Sequence, residues 1–583
     1  MFSSPQDEDL RMMIKKYALQ NAVKHKKPPR VDAVVKKLIS EQPELKNEIR
    51  NLIPVIKEVV AEVSELGMER CEEELRALAP ELLIELSSEV GERREGVLPP
   101  LPRIEWGVVM RFAPNPNGPP TLGSARGIIV NSEYARRYKG RFILRFDDTD
   151  PVLKRPLLEA YDWYLEDCEW LGAKPDAVVI ASERLEIYYE HARRLIELGG
   201  AYVCFCSREE FKRFKDAACE CPHRNTSVEE NLEHWERMLD WEYEPGQAVL
   251  RVKTDMQHKD PALRDWVAFR ILKATHPRPS VADKYCVWPT LDFESAIEDH
   301  ILGVTHIIRG KDLMDSEGRQ RFLYKHFGWK YPVTILWGRL KIHEFGKLST
   351  SELRRRIESG EFDGWDDPRI PTIRALRRRG FEPEAIRRFF LSLGVSESDV
   401  AISLKNLYAE NRKLIDEKAN RYFFVTSPQE LRLVKDSEEF RGVARALLHP
   451  SRKDFREIEV HGSVLISGDD ARTLDVGDTL RLKYLCDVEI VSKDPLTARV
   501  LGFEAEAKAA GAEGKKKPII QWVPAENHIY VVVKRPEIEK PEEHGIGEPL
   551  IKREVGNVVQ FERYGFVRID SAEDGTVVAY FTH

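Results

Sequence analysis

The chain has 583 residues, a formal net charge of −7, 42 % apolar residues and 32 % charged ones. At ~150 residues per domain this length predicts about four domains, and the composition excludes a disordered chain. No run of ~18 uncharged apolar residues and no leader pattern occurs, so a cytoplasmic protein with no membrane span is expected, and any nucleic acid it binds must meet local basic patches rather than bulk charge.

Residues 1–98 carry apolar side chains at three- and four-residue spacing, as in LRMMIKKYALQNAVKH and LKNEIRNLIPVIKEVVAEV, and predict a helical domain. GERREGVLPPLP, residues 91–102, reads as a linker. From Val108 the texture changes. GVVMRFAP is a short strand, LGSARGIIVNSEYARRYKG a helix and FILRF a second strand, a βαβ unit with a ligand loop at the carboxyl end of its first strand. The alternation resumes as far as VTILWGRL. It predicts an α/β fold: a doubly wound parallel-sheet, nucleotide-binding domain in two halves, 103–202 and 288–371, split by an inserted domain at 203–287. Residues 372–420 are helical and basic. From Arg421 to residue 583, short β-branched and aromatic runs predict one or two antiparallel β-barrels, with GAEGKKKP and KPEEHGIGEP as exposed hairpin ends.

Four of the eight cysteines crowd into the insert, as Cys204-Phe-Cys206 and Cys219-Glu-Cys221, with His223 two residues on. In a chain read as intracellular, thiols and an imidazole at this spacing point to a closed tetrahedral zinc site made by four of the five groups, with Cys219 or His223 spare.

Three further segments carry chemistry. In RFAPNPNGPPTLGSARG, residues 111–127, Gly118 and its prolines fix a tight loop. Thr121 and Ser124 share one face of the helix that follows, and Gly123 admits close backbone approach, which together make a phosphate or nucleotide site. In LRFDDTDP, residues 144–151, Asp147, Asp148 and Asp150 offer carboxylates to an ammonium group, to Mg²⁺ or to the following turn. In GRLKIHEFGKLSTSELRRR, residues 338–356, Lys347 with Ser349 and Ser351 offers a point charge to a polyphosphate.

Together these segments resemble the signature set of the class I glutamyl- and glutaminyl-tRNA synthetases. PNPNGPPTLGS is similar to the family's HIGH region, RFDDTDP to its acidic strand end and KLSTS to its KMSKS loop. WPTLDFESAIEDHILGVTHIIRGKDL, residues 288–313, and WDDPRIPTIRALRRRG, residues 365–380, resemble two further family segments. The helical N-terminus and β-rich C-terminus are similar to the archaeal type of glutamyl enzyme, and the resemblance is strong over about residues 106–420.

The resemblance implies ATP- and Mg²⁺-dependent activation of L-glutamate and its transfer to tRNA(Glu), with tRNA(Gln) a second acceptor in non-discriminating members, by a monomer. It implies ATP contacts from Pro114, Asn115, Asn117, Gly118, Thr121, Gly123, Ser124 and Arg126, from Arg339 and Leu340, and from Lys347, Leu348 and Ser349, with Thr121, Ser124 and Lys347 acting on the reacting phosphates. The glutamate pocket would hold Arg111, Asp147, Leu291, Ser295 and Arg309, where Asp147 takes the ammonium group and the arginines the γ-carboxylate. Arg354, Arg355, Arg356, Arg377, Arg378 and Arg379 would meet tRNA phosphates, and the barrels would read the anticodon. Two departures stand out: Thr121 and Ser124 replace the family's histidines, and Thr350 replaces its second lysine. They motivate a catalytically silent tRNA-binding relative as a competing reading, beside a glutaminyl enzyme of the same fold.

Overall fold

The computed structural model describes residues 5–25, 27–41, 49–79, 98–344, 349–503 and 517–583. It forms two units, 1–99 and 100–583. In the first, helices α1 (Pro5–His25), α2 (Val31–Glu41), α3 (Ile49–Glu65) and α4 (Met68–Leu78) converge on Ile14, Leu19, Leu38, Ile56 and Val59, all fully buried. Leu52, Val55, Ile56, Val59, Val60 and Val63 of α3 recur every three or four residues, so one stripe of the helix turns inward. Most of the expected linker lies outside the described residues.

The second unit is built on a five-stranded sheet. The chain runs β1 (Val109–Phe112), α5 (Leu122–Arg137), β2 (Arg141–Phe146), α6 (Leu158–Trp170), β3 (Ala177–Ile180) and α7 (Leu185–Glu197). A four-stranded antiparallel insert follows: β4 (Ala201–Cys204), α8 (Arg208–Asp216), α9 (Val228–Leu239), β5 (Val249–Val252), β6 (Val267–Ile271) and β7 (Val287–Pro289). The chain then returns as α10 (Leu291–Ile301), β8 (His306–Gly310), α11 (Met314–Phe327) and β9 (Val333–Trp337). The main sheet has the order β3-β2-β1-β8-β9 and every pairing is parallel. Connections leave β1 to one side and rejoin beside it from the other, so a crevice opens past the carboxyl ends of β1 and β8.

After β9 come β10 (Leu340–Ile342), α12 (Thr350–Glu358), α13 (Ile373–Arg378), α14 (Pro383–Leu393), β11 (Val400–Ile402) and α15 (Leu404–Ile415). Residues 371–373 lie against the start of α5. Leu122 donates to the Pro371 carbonyl and Ile373 to the Pro120 carbonyl, both at 2.9 Å.

The remaining chain is β-rich. Strands Arg421–Tyr422 and Phe424–Thr426, adjacent in sequence, form the two edges of one seven-stranded sheet, which therefore closes on itself. A second sheet is made mostly from residues 428–524, inserted between that closing segment and the rest of the first sheet. The pairing is mixed rather than antiparallel throughout: Ile529–Lys534 runs parallel to Thr576–Phe581, and Pro428–Lys435 parallel to Leu496–Phe503. Intervening strands supply the crossovers that parallel neighbours need. The expected hairpin end KPEEHGIGEP is instead a strand, Glu542–Gly547, paired on both sides. A Cβ on Gly545 would come within 2.5 Å of the Phe424 ring, so this glycine makes room for a packed aromatic rather than a turn. Most of GAEGKKKP lies outside the described residues.

Arg379 corrects one expectation. It is fully buried, and its guanidinium donates to the carbonyls of Phe581 at 3.0 Å and Thr582 at 2.8 Å, tying the C-terminal strand to α13. Buried and engaged, it does not offer itself to a phosphate. Arg378 is likewise held by Asp366 at 2.9 Å and Asp570 at 3.0 Å. Arg379→Ala is expected to cost about 2–3 kcal/mol in chemical denaturation, because it orphans buried carbonyls, and to leave the salt dependence of tRNA binding unchanged. A reduced salt slope at unaltered stability would restore the phosphate assignment.

Candidate active site

The loop after β1 is stitched to the loop after β2. Asp147 donates its amide to the Pro114 carbonyl at 3.0 Å, and the Asn115 side chain donates to the Asp147 carbonyl at 2.9 Å. Leu157 donates to the Pro116 carbonyl at 2.8 Å. Thr121 caps α5, accepting from the Ser124 amide at 3.4 Å, and both hydroxyls are half-buried at the mouth of the crevice. Asn117 is half-buried, and the exposed Gly123 has only Thr121 Oγ1 near the place of a Cβ, at 3.6 Å. Gly118 is tight: a Cβ there would lie 2.5 Å from Thr350 Cγ2 and 2.9 Å from Trp365, so the α12 helix seats directly on this loop. Ser349 caps α12, accepting from the Glu352 amide at 3.2 Å. Lys347 and Leu348 lie outside the described residues.

Arg126 does not face open space. It donates to the carbonyls of Gly338 at 3.2 Å and Gly394 at 3.3 Å, and its guanidinium lies 4.4 Å from the centre of the Trp337 ring. It fixes the end of β9 just before Arg339 and Leu340. Arg339 is exposed and donates its amide to Asp399 at 2.8 Å, while Leu340 is half-buried in the core.

At the carboxyl ends of β1 and β8 lies a cavity of about 200 Å³ lined by all five residues expected to hold glutamate: Arg111, Asp147, Leu291, Ser295 and Arg309. Its wall depends on residues with no sequence signature of their own. Arg145, fully buried, donates to both Asp147 oxygens at 2.6 and 3.1 Å, to Asp299 at 2.7 Å and to Ser295 Oγ at 3.0 Å. Arg111 is also paired with Asp299, at 3.1 and 3.4 Å. Burial alone would raise the Asp299 carboxyl, but Arg111 and Arg145 hold it below the usual carboxylate range.

Arg309 differs. It is 5 % exposed, and its Nη2 donates to Gln320 Oε1 at 3.0 Å and to the Tyr331 hydroxyl at 3.2 Å. Its Nε and Nη1 are buried with no hydrogen-bond partner, and no carboxylate pairs with it among the described residues. Of the three carboxylates in the loop after β2, only Asp147 lines the cavity. Asp148 is buried, accepting from Ser182 and Tyr161, and Asp150 caps its own turn and pairs with Arg270 at 2.8 Å. The site thus presents one aimed carboxylate, one unfilled guanidinium and, beside them, a helix N-terminus with two hydroxyls.

The family model for the catalytic domain of class I tRNA synthetases (E and Q) matches residues 107–417, and two models for the anti-codon binding domain of the same class match 419–506 and 519–570. The chain belongs to the class I tRNA synthetases of the E and Q family. It is 55 % identical over 579 residues to a glutamate–tRNA ligase of Methanosarcina barkeri, covering 99 % of each chain. It is 53 % identical to one of Archaeoglobus fulgidus, covering 98 % of this chain and 100 % of that one, and 46 % identical to one of Pyrococcus furiosus, covering 97 % and 98 %.

The insert of this synthetase holds a second cluster. Cys204, Cys206, Cys221 and His223 bring their ligand atoms within 4.8 Å of one another, with Cys206 Sγ 3.4 Å from His223 Nδ1 and Cys204 Sγ 4.0 Å from Cys221 Sγ. Ligands at the corners of a zinc tetrahedron lie ~3.5–3.8 Å apart, given Zn–S ≈ 2.3 Å, so these four fit one zinc ion. Cys219 is exposed, turned to the Ala217 carbonyl at 3.3 Å, and is the spare thiol. No helix among the described residues is long and apolar enough to cross a membrane.

Asp299→Asn leaves the buried Arg111 guanidinium without its carboxylate and removes one of two from Arg145, and is expected to cost about 3–5 kcal/mol at pH 7. Because Asp299 titrates below its ordinary range, its contribution is present above that range and lost as pH falls through its depressed value. The deficit of the variant should therefore shrink in acid. Denaturation curves at pH 7 and pH 3 measure it, and equal stability at pH 7 would contradict the cluster.

Proposed function

We propose that this synthetase is a glutamate–tRNA ligase. The observation that carries the reading is Arg309: a buried guanidinium with two unfilled donors in a cavity whose opposite charge, Asp147, suits an α-ammonium group. A γ-carboxylate fills those donors with charge-assisted hydrogen bonds, whereas a γ-amide brings no charge. Full-length similarity to archaeal ligases of that activity supports the same reading.

In the first step an oxygen of the glutamate α-carboxylate attacks the α-phosphorus of ATP and pyrophosphate leaves. Thr121, Ser124 and the amide end of α5 donate to the phosphate oxygens, Ser349 approaches from the start of α12, Lys347 supplies a cation, and Asn117, Gly118 and Gly123 shape the loop. Arg339 and Leu340 flank the adenine. Mg²⁺ bound with the ATP phosphates would neutralise their charge, and Asp148 and Asp150, already engaged by Ser182 and Arg270, would not hold it. In the second step a terminal ribose hydroxyl of tRNA attacks the adenylate carbonyl and AMP leaves; the mixed anhydride is already activated, so no side-chain nucleophile is needed. Arg354, Arg355 and Arg377 remain the candidates for tRNA phosphates. Arg354 and Arg355 make surface pairs with Glu358 and Glu352, which exchange readily, and Arg354 also donates to the Arg155 carbonyl at 3.5 Å. One zinc ion on Cys204, Cys206, Cys221 and His223 would brace the insert.

The test is ATP-dependent charging of tRNA(Glu) and tRNA(Gln) with labelled glutamate or glutamine. Glutamate transfer to tRNA(Glu) is expected; transfer to tRNA(Gln) as well marks a non-discriminating enzyme, and transfer of glutamine overturns the reading. Arg309→Cys is expected to raise the KM for glutamate roughly 10- to 100-fold, from the loss of about 1.5–3 kcal/mol, with tRNA affinity unchanged. Metal analysis should find about one zinc per chain, lost in the Cys204→Ser/Cys206→Ser variant.

A further inference from the structure

Behind the cavity lining, next to Arg145, Glu294 is a buried acid that the reaction does not use. It sits on the first turns of α10, with no exposed surface. Its Oε2 accepts from Thr149 Oγ1 at 3.1 Å. Its Oε1 has no hydrogen-bond partner, and the closest cation, Arg145 Nε, stands off at 4.0 Å because that nitrogen is bonded to Asp147. An ionised Oε1 here would be a buried anion with no donor, the costliest state for such a group. The groups that face it are negative or already spent. From the end of β2 and the loop after it they are the engaged Arg145 and Asp147, and from α10 it is Glu298. From α7 comes Tyr188, which donates to Glu298 at 2.8 Å, as does Arg184 at 2.7 Å from the turn before it.

We propose that Glu294 is a positioning residue that keeps its proton at neutral pH and donates it to Asp147, holding Asp147 as an aimed anion for the substrate ammonium. Burial, and next to it the Asp147 charge, push the Glu294 carboxyl well above the usual range. The consequence is a charge balance. Asp292, also in the lining, is paired with Arg319 at 2.7 Å; with Glu294 neutral, Arg111, Arg145 and Arg309 are then balanced by the carboxylates of Asp147 and Asp299, so the cavity keeps one uncompensated positive charge. A glutamate zwitterion carries one net negative charge and glutamine carries none. Were Glu294 ionised, the cavity would be neutral and would lose its electrostatic preference between them. The proton on Glu294 is thus part of how an anionic side chain is selected, an inference that rests on the glutamate reading above.

The test uses the full chain and the variants Glu294→Gln and Glu294→Ala. Infrared difference spectra of wild type against Glu294→Gln at pH 8 should show the carbonyl stretch of a protonated carboxylic acid in wild type and its loss in the variant. A purely structural side chain would not produce that band. By calorimetry, Glu294→Gln should bind L-glutamate within about threefold of wild type and keep the preference over L-glutamine. Glu294→Ala, which leaves Asp147 to Arg145 alone, should bind at least tenfold more weakly. Because the folded state prefers the protonated acid, stability from Glu294 is lost as pH rises above the ordinary carboxylate range, so Glu294→Gln should melt higher than wild type by a margin that widens with pH. A carboxylate band in place of the acid band, or a Glu294→Gln variant that loses glutamate 30-fold, overturns the proposal. Failure of wild type to prefer glutamate over glutamine would instead overturn the underlying reading, and would leave the acid band to report on Glu294 alone.

Discussion

One buried guanidinium holds the crevice together. Arg145 ends the second strand of the parallel sheet with no exposed surface, in a place where an unpaired charge would be prohibitive. Its donors are met by Asp147 from its own strand end and by Ser295 and Asp299 from α10, an element more than 140 residues away in sequence. That requirement fixes α10 against the sheet, and α10 in turn carries Asp299 to Arg111. The result is a wall of paired charges in which, among the described residues, the Arg309 guanidinium is left without a carboxylate. Rigidity and selectivity come from the same bonds: the wall cannot relax to satisfy Arg309 without orphaning another ion.

The approach of the phosphate loop depends on a second constraint, close backbone contact. Gly118 has no room for a Cβ beside Thr350 and Trp365, so the HIGH-like loop and α12 are seated as one surface. This bears on the missing family lysine. Position 350 faces the loop with a methyl group where a lysine would need space. Arg126, which the sequence places near this site, serves it indirectly by holding the carbonyls of Gly338 and Gly394.

The fold and the lining of the cavity were largely legible from sequence, because in a doubly wound sheet ligand residues follow strand ends directly. Arg111, Asp147 and Arg309 stand at such ends and could be named from short motifs. What was not legible depends on tertiary pairing. Arg145, Glu294, Asp299, Gln320 and Tyr331 look like ordinary strand or helix residues until the sheet brings them together. One signal was available for Glu294 and Asp299: in LDFESAIEDH the acids recur on a helix whose residues 292–299 are all buried, too many charges for a solvated face. Local charge also misled. RRR at 377–379 reads as one basic patch, yet Arg379 and Arg378 turn into the C-terminal sheet, because a run of like residues on a short helix points in different directions. Among the cysteines, spacing alone left five candidates, and only the fold separated Cys219 from the rest.

The most direct test of this account is a crystal structure with L-glutamate bound. It should show the γ-carboxylate on Arg309, filling Nε and Nη1, and the ammonium group on Asp147, with Arg111 and Arg145 still paired to Asp299. A γ-carboxylate seated instead on Arg111 with Asp299 displaced, or a glutamate bound outside this cavity, would contradict it.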